Sequence, residues 1–182
     1  GENYVLSVSA FYPHKNMHRL IQSYGILKEK YGVKHKLVLI GTGGRSQQTI
    51  IGTIKDLSLE KDIVFTGWLS ADDRSNLYNL YRGADVFVFP SLYEGFGLPP
   101  LEAMQFGVPV AASNTSSIPE ICGNAALYFN PKNPQDIAEK IQTLYTNPAL
   151  QNELREKGYK QIQSYAWSTM AARSLQIYEN VI

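Results

Sequence analysis

Cysteine is nearly absent from this 182-residue chain: Cys122 stands alone, which excludes an internal disulfide and any cysteine-cluster metal site. A reducing, cytoplasmic setting is the expectation. His14, His18 and His35 fall at no metal-ligand spacing, and no Asp-x-Asp motif of metal-dependent sugar chemistry occurs, so no bound metal is expected. There is no signal peptide and no apolar run approaching the length of a membrane span. No Pro/Gly/Ser-rich linker, internal repeat or low-complexity tract divides the chain, and its length suits one compact domain, residues 1–182, with closing helices from about residue 148. A formal charge of +1 gives no general argument for nucleic acid. Residues 14–36 do hold six Lys/Arg against one Glu. That basic stretch has two readings, a solvated helix face or a surface for phosphate or for the inner face of an anionic membrane.

Short β-branched and aromatic runs alternate with helical patterns. Strands are expected over Tyr4–Ser9, Lys36–Ile40, Ile63–Thr66, Val86–Phe89, Val110–Ala112 and Ala126–Phe129. Met17, Leu20, Ile21, Tyr24 and Leu27 recur at helical spacing, which predicts a first helix packed on a sheet. Ser70 is read as the cap of a helix from about Ala71, with Asp72 and Asp73 in its first turn. Asn133-Pro-Gln-Asp136 opens a further helix and Asn147-Pro148 the next. Strand and helix in alternation imply right-handed crossovers and a doubly wound, Rossmann-like parallel sheet.

The most informative stretch runs from Ser91 to Val110. It follows Ala84–Pro90, a run apolar enough to be buried on both faces of such a sheet, so it begins at the carboxyl end of a strand, where open α/β sheets bind ligands. Glu94 and Glu102 lie on either side of a glycine turn and a helix start. Gly95 and Gly97 are expected to turn with positive φ, and Pro99 and Pro100 to occupy the first helical turn, where an amide proton would be unpaired anyway. The helix should run from Leu98 to Phe106 and stop at Gly107. The amides of Gly95, Phe96, Gly97 and Leu98 would then point out of the helix mouth, an arrangement that attracts phosphate. The bland alternative makes Glu102 a first-turn acid and Glu94 a solvated loop acid.

Three other loops reach the same edge. Lys15 follows Ala10-Phe-Tyr-Pro-His14, after the first strand, and could reach the glutamates; an exposed helix-start lysine is the plainer reading. Gly41-Thr-Gly-Gly44 lacks the lysine and hydroxyl of a Walker loop and reads first as a strand-to-helix turn. Gly67 ends a buried strand in Phe65-Thr-Gly-Trp-Leu69, and Trp68 is either a ring at a ligand pocket or a lid on the core. His14 reads as a surface loop histidine, with a phosphate contact beside Lys15 as the alternative, and Glu120 as a local cap. The twelve tyrosines are scattered as packing residues would be.

The segment Glu94-Gly-Phe-Gly-Leu-Pro-Pro-Leu-Glu102, with seven residues between its acids, resembles the two-glutamate motif of retaining GT-B glycosyltransferases, above all the large family 4 of nucleotide-sugar enzymes. Asn3–Lys15, Lys36–Gly44, Asp62–Leu69 and Tyr165-Ala-Trp-Ser168 are similar to that family's first strand and phosphate loop, second strand and glycine turn, base-binding loop and closing helices. The resemblance implies a carboxyl-terminal donor domain moving a hexose such as mannose or glucose from a nucleotide diphosphate to a glycan or lipid-linked acceptor. It assigns Lys15 to the donor diphosphate, Glu94 to hydroxyls of the transferred sugar and Glu102 to the ribose. Gly43 and Gly44 would neighbour the donor site, Gly67 and Trp68 would lie near the base, and Ser116-Ser-Ile-Pro-Glu120 would face the sugar end. Arg45 either supplies a cation where many relatives carry an arginine at the position of Ala10 or stands exposed to solvent. Transfer with retention is then a same-face substitution in which the donor phosphate helps deprotonate the acceptor, and Glu94 orients and stabilises rather than attacks. No cofactor is implied beyond the nucleotide sugar itself.

The resemblance also implies an amino-terminal acceptor domain, absent from this sequence, toward which the last helix, around Ser168–Ile182, would cross. By itself the chain is expected to transfer little. A nucleotide-sugar epimerase is an alternative without a signature here. A nucleotide- or sugar-sensing module is another, favoured by Ala10 and opposed by Lys15, Glu94 and Glu102.

Overall fold

The computed structural model describes residues 3–67, 69 and 73–180. Trp68, Ser70, Ala71 and Asp72 lie outside them, and with them the expected base-side ring, cap and helix start. Six parallel strands, β1 (Tyr4–Val8), β2 (Lys36–Ile40), β3 (Ile63–Gly67), β4 (Val86–Phe89), β5 (Val110–Ser113) and β6 (Ala126–Phe129), form one sheet in the order β3-β2-β1-β4-β5-β6. Between them run α1 (Met17–Tyr31), α2 (Gln47–Asp56), α3 (Arg74–Arg82), α4 (Leu98–Gln105) and α5 (Ile118–Cys122); α6 (Pro134–Thr146), α7 (Pro148–Gln163) and α8 (Trp167–Glu179) follow.

Alternate side chains of each central strand enter opposite layers. Val5, Leu37, Leu39, Val86 and Val88 pack beneath α1, α2 and α6, whereas Leu6, Val38, Phe87 and Phe89 meet Tyr81 of α3 and Leu101 and Met104 of α4. β4 is buried throughout, as a strand covered on both faces must be. β3 departs from expectation: it is the edge strand, with Val64 and Phe65 each 43% exposed, so Gly67 ends a half-open strand rather than a buried one. An edge strand has a neighbour on one side alone, and its side chains are correspondingly less covered.

The chain winds outward from β1 through β2 to β3, then returns to the other side of β1 and continues through β4, β5 and β6. Beyond the carboxyl ends of β1 and β4 the crossovers diverge, opening the crevice where such sheets take ligands. Lys15 leaves β1 there and Glu94 leaves β4.

Asn133 caps α6 by accepting from the amides of Gln135 and Asp136, and Asn147 caps α7 through Leu150, as their Asn-Pro signatures predict. The basic stretch resolves into local pairs. Lys28 meets Asp62 at 2.8 Å, Lys36 lies 3.9 Å from the same carboxylate, Lys30 lies 3.9 Å from Glu139, and Arg19 donates to Asn16 Oδ1. No described helix is long and apolar enough to cross a membrane.

Candidate functional site

Pro13 starts a single 3-10 turn, Pro13–Lys15, and Asn16 closes it in the left-handed region at φ 61°. Asn16 is fully buried, and its amide donates to the carbonyls of Pro90 at 2.9 Å and Pro131 at 2.7 Å. The amide of Leu92 donates to the His14 carbonyl at 2.7 Å. These bonds fasten the loop after β1 to the loop after β4, 74 residues away. In consequence Lys15 Nζ reaches Glu94 Oε1 at 2.6 Å, with both side chains largely shielded. Each ion partly offsets the other's desolvation, and a ligand anion arriving here finds the ammonium already in place.

Glu94 opens the turn into α4. Of the two expected positive-φ glycines, Gly97 alone adopts one, at φ 119°; Gly95 does not. The turn needs left-handed backbone at the residue that caps α4, and Gly95 precedes that position. A Cβ at either glycine would meet nothing within 4 Å, so the space beside this backbone is open. Among the described residues the amides of Gly95, Phe96, Gly97 and Leu98 have no partner. Pro99 and Pro100 contribute none. The helix therefore presents a compact group of unpaired donors beside Lys15.

Glu102 is not a first-turn acid. It lies in the second turn of α4, too far along for a dipole role, and Tyr81 of α3 donates to its Oε2 at 2.7 Å. The Tyr81 ring is fully buried, stacked on Phe106 at 5.6 Å and tilted against Phe87 at 5.7 Å. Burial first, then the adjacent carboxylate, pushes its phenol far above the ordinary tyrosine range, so it stays a donor. Beside Glu102 lies a groove of about 560 Å³ lined by Phe96, Leu98, Leu101, Tyr165 and Met170.

The glycine turn of residues 41–44 packs on the same edge. Phe11 receives Ser46 N–H on its carbonyl at 2.9 Å and donates to Gly43 O at 3.2 Å, and Gly41 donates to Gly67 O at 3.1 Å. A small hollow of about 120 Å³ opens between Phe11, Gly41, Thr42, Phe65 and Gly67. Gly43 and Gly67 adopt positive φ, and Arg45 projects into solvent from this turn. Lys15, Glu94, residues 95–98 and Glu102 thus form one cluster along α4, and Gly43, Gly67 and Arg45 a second at the ends of β2 and β3. His14 turns away to stack on Tyr12, and Glu120 is exposed in the first turn of α5. No three His, Cys, Asp or Glu side chains converge among the described residues.

A family model described as glycosyl transferases group 1 matches residues 1–161. The chain belongs to that family. This group 1 domain is 33% identical over its whole length to the serotype-specific mannosyltransferase WbdA of Escherichia coli, of which it spans 22%. Among solved structures it resembles sucrose-phosphate synthase from Thermosynechococcus elongatus, with a TM-score of 0.84 and 27% identity over 99% of this chain and 45% of that one. It also resembles the C-terminal domain of the group 1 protein LpcC from Francisella tularensis, with a TM-score of 0.74 and 26% identity over 88% of this chain and 85% of that domain. The group 1 domain therefore covers about a fifth of that mannosyltransferase and under half of the synthase.

Sequence reasoning missed the orienting roles of Asn16, of Tyr81 and of the hydroxyls of Ser113, Thr115, Ser116 and Ser117, which bond the backbone around Glu94. A left-handed asparagine next to Lys15 leaves a weak local signal, since asparagine tolerates that backbone. The other two act across 21 to 23 residues and leave none.

Proposed function

We propose that this group 1 domain holds the donor of a retaining hexosyltransferase, a nucleotide diphosphate carrying mannose or glucose, for transfer to a glycan or lipid-linked acceptor. The observation that carries the reading is the 2.6 Å pair of Lys15 with Glu94 beside the unpaired amides of residues 95–98. A diphosphate entering the crevice meets an ammonium, a set of N–H donors and the positive end of α4. As the sugar leaves, negative charge grows on that diphosphate, and groups fixed around it stabilise the transition state more than the bound donor. Lys15 transfers its attention to the phosphate, and Glu94 is released to accept from sugar hydroxyls. Glu102, with Oε2 held by Tyr81, offers Oε1 to the ribose. Gly43 and Gly67 border the donor, and Arg45, exposed in the free domain, turns toward the phosphates when the donor binds.

On this reading the cation is Lys15, the donor needs no separate metal, and EDTA leaves its affinity unchanged. The acceptor belongs to an amino-terminal domain of the complete enzyme. Met170, Leu175, Ile177 and Tyr178 of α8, between 47% and 66% exposed, offer that domain an apolar face. The lone thiol, Cys122, suits a cytoplasmic setting.

Calorimetric titration with GDP, UDP and ADP, and with their mannose and glucose conjugates, tests the assignment. One nucleotide should bind selectively, and Lys15→Ala and Glu102→Ala should each weaken it about tenfold or more, the size of a lost charge-assisted hydrogen bond. Binding that both substitutions leave intact would place the donor elsewhere.

A further inference from the structure

The end of β5 and the loop after it carry hydroxyls at four of five successive positions, Ser113, Thr115, Ser116 and Ser117, and all four grip the backbone that bears Glu94. Ser113 Oγ donates to the Ser91 carbonyl at 2.6 Å and Thr115 Oγ1 to that of Leu92 at 3.1 Å. Ser117 Oγ lies 2.7 Å from Phe96 O and 3.0 Å from Glu94 O, and its proton serves one or the other. Ser116 does more: its Oγ donates to Glu94 O at 2.7 Å while accepting from Glu94 N–H at 3.2 Å, the full use of one hydroxyl as donor and acceptor. Both polar groups of the Glu94 main chain are thus held by one side chain.

Ser116 achieves this in the left-handed region, φ 59°, one of only three non-glycine residues in that region among those described. Serine is disfavoured there and glycine is not. Strained backbone persists where its surroundings enforce it, and such positions gather at functional sites. A trans peptide directs its N–H opposite to the carbonyl before it. With the carbonyls of Glu94 and Phe96 drawn toward the hydroxyls, the amides of Gly95 and Gly97 face the other way, into the open space beside the turn.

We propose that Ser116 is a positioning residue: its hydroxyl holds the Glu94 main chain so that the carboxylate is aimed at the transferred sugar, without itself touching the donor. The inference rests on the assignment of Glu94 to the sugar. Its signature is a loss confined to the sugar's share of donor affinity. Ser116→Gly removes the hydroxyl and relieves the backbone, and Ser116→Ala removes the hydroxyl and keeps the strain. A merely structural role ties affinity to stability; positioning separates the two.

The test uses the full-length chain, GDP against GDP-mannose and UDP against UDP-glucose, with thermal melting alongside. For the nucleotide that binds, the ratio of the two dissociation constants should fall about fivefold in both Ser116 variants, a fraction of one charged hydrogen bond. Nucleoside diphosphate affinity should change less than about twofold on the same reckoning, and Ser116→Gly, relieved of the strain, should melt above Ser116→Ala, which keeps it. Glu94→Gln serves as the reference and should lower the same ratio. If Glu94→Gln lowers it and the Ser116 variants do not, the positioning role is overturned and the Glu94 assignment stands. A ratio that Glu94→Gln leaves unchanged, or a wild type with no sugar-dependent affinity, overturns both.

Discussion

Tyr81 and Glu102 show how a single side chain settles what a carboxylate can do. Glu102 alone, on an open helix face, would rotate freely; with Oε2 held at 2.7 Å by a buried phenol, one oxygen is fixed and the other is presented. Tyr81→Phe keeps the stacking on Phe106 and Phe87 and deletes only the donor. It should cost about 1 kcal/mol of stability, read from the urea midpoint, and weaken nucleotide binding severalfold, because Glu102 loses its orientation but not its charge. An unchanged affinity would leave Tyr81 a core residue and nothing more. The positions of the two glutamates and Lys15 were legible in the sequence, since Lys15 and Glu94 each follow a strand end and Glu102 lies on the helix that the glycine turn opens. The partners that orient them were not, because the Tyr81 and Ser116 contacts join residues from separate elements and depend on how those elements pack. A sequence pattern records which residues share an element and is silent about which elements meet.

The strand-to-helix turn of residues 41–44 was equally legible as a turn, yet its four residues are not equivalent once β2 lies beside β1. Gly44 adopts φ 88°, and a Cβ there would lie 2.3 Å from Phe11 O, a backbone atom that cannot rotate aside. Gly43, at φ 67°, would place a Cβ in open space. Gly43→Ala should therefore cost only the conformational term, about 1 kcal/mol, whereas Gly44→Ala adds displacement of the β1 loop and should exceed about 3 kcal/mol. Thermal melting of the two variants checks the order. That displacement also moves the loop leading to Lys15, so Gly44→Ala should weaken diphosphate binding. The same reasoning explains β3. Its apolar sequence reads as a buried strand, but its place at the end of the sheet exposes Val64 and Phe65, and strand order is a tertiary property.

For the whole molecule, the acid groups sealed into the two layers set a limit on alkaline stability. Burial pushes the Cys122 thiol up to about 12, and burial assisted by neighbouring carboxylates pushes the phenols of Tyr24 and Tyr81 well above their ordinary value. Each raised value means that the fold binds the proton more tightly than the unfolded chain does. The resulting stability is complete below the unfolded values, near 8.5 for a thiol and 10 for a phenol, and is lost progressively as the pH rises from there toward the folded ones. The unfolding midpoint in urea should accordingly be flat from pH 7 to about 8.5 and then fall, with a limiting slope of about 1.4 kcal/mol per pH unit for each buried group that the unfolded chain has ionised. Cys122 supplies an independent reading, since it is the one thiol and, as the last residue of α5, is fully buried in the layer that α5 shares with β5. A thiol reagent at pH 8 should label it only as fast as the fold opens, so the rate should rise with urea in step with the loss of stability. Rapid labelling of the folded protein, independent of urea, would mean that the layer between α4, α5 and the sheet opens on its own. In that event the frame that fixes Glu102 and the Glu94 turn would be mobile, and the alkaline decline would begin in that layer rather than across the whole fold.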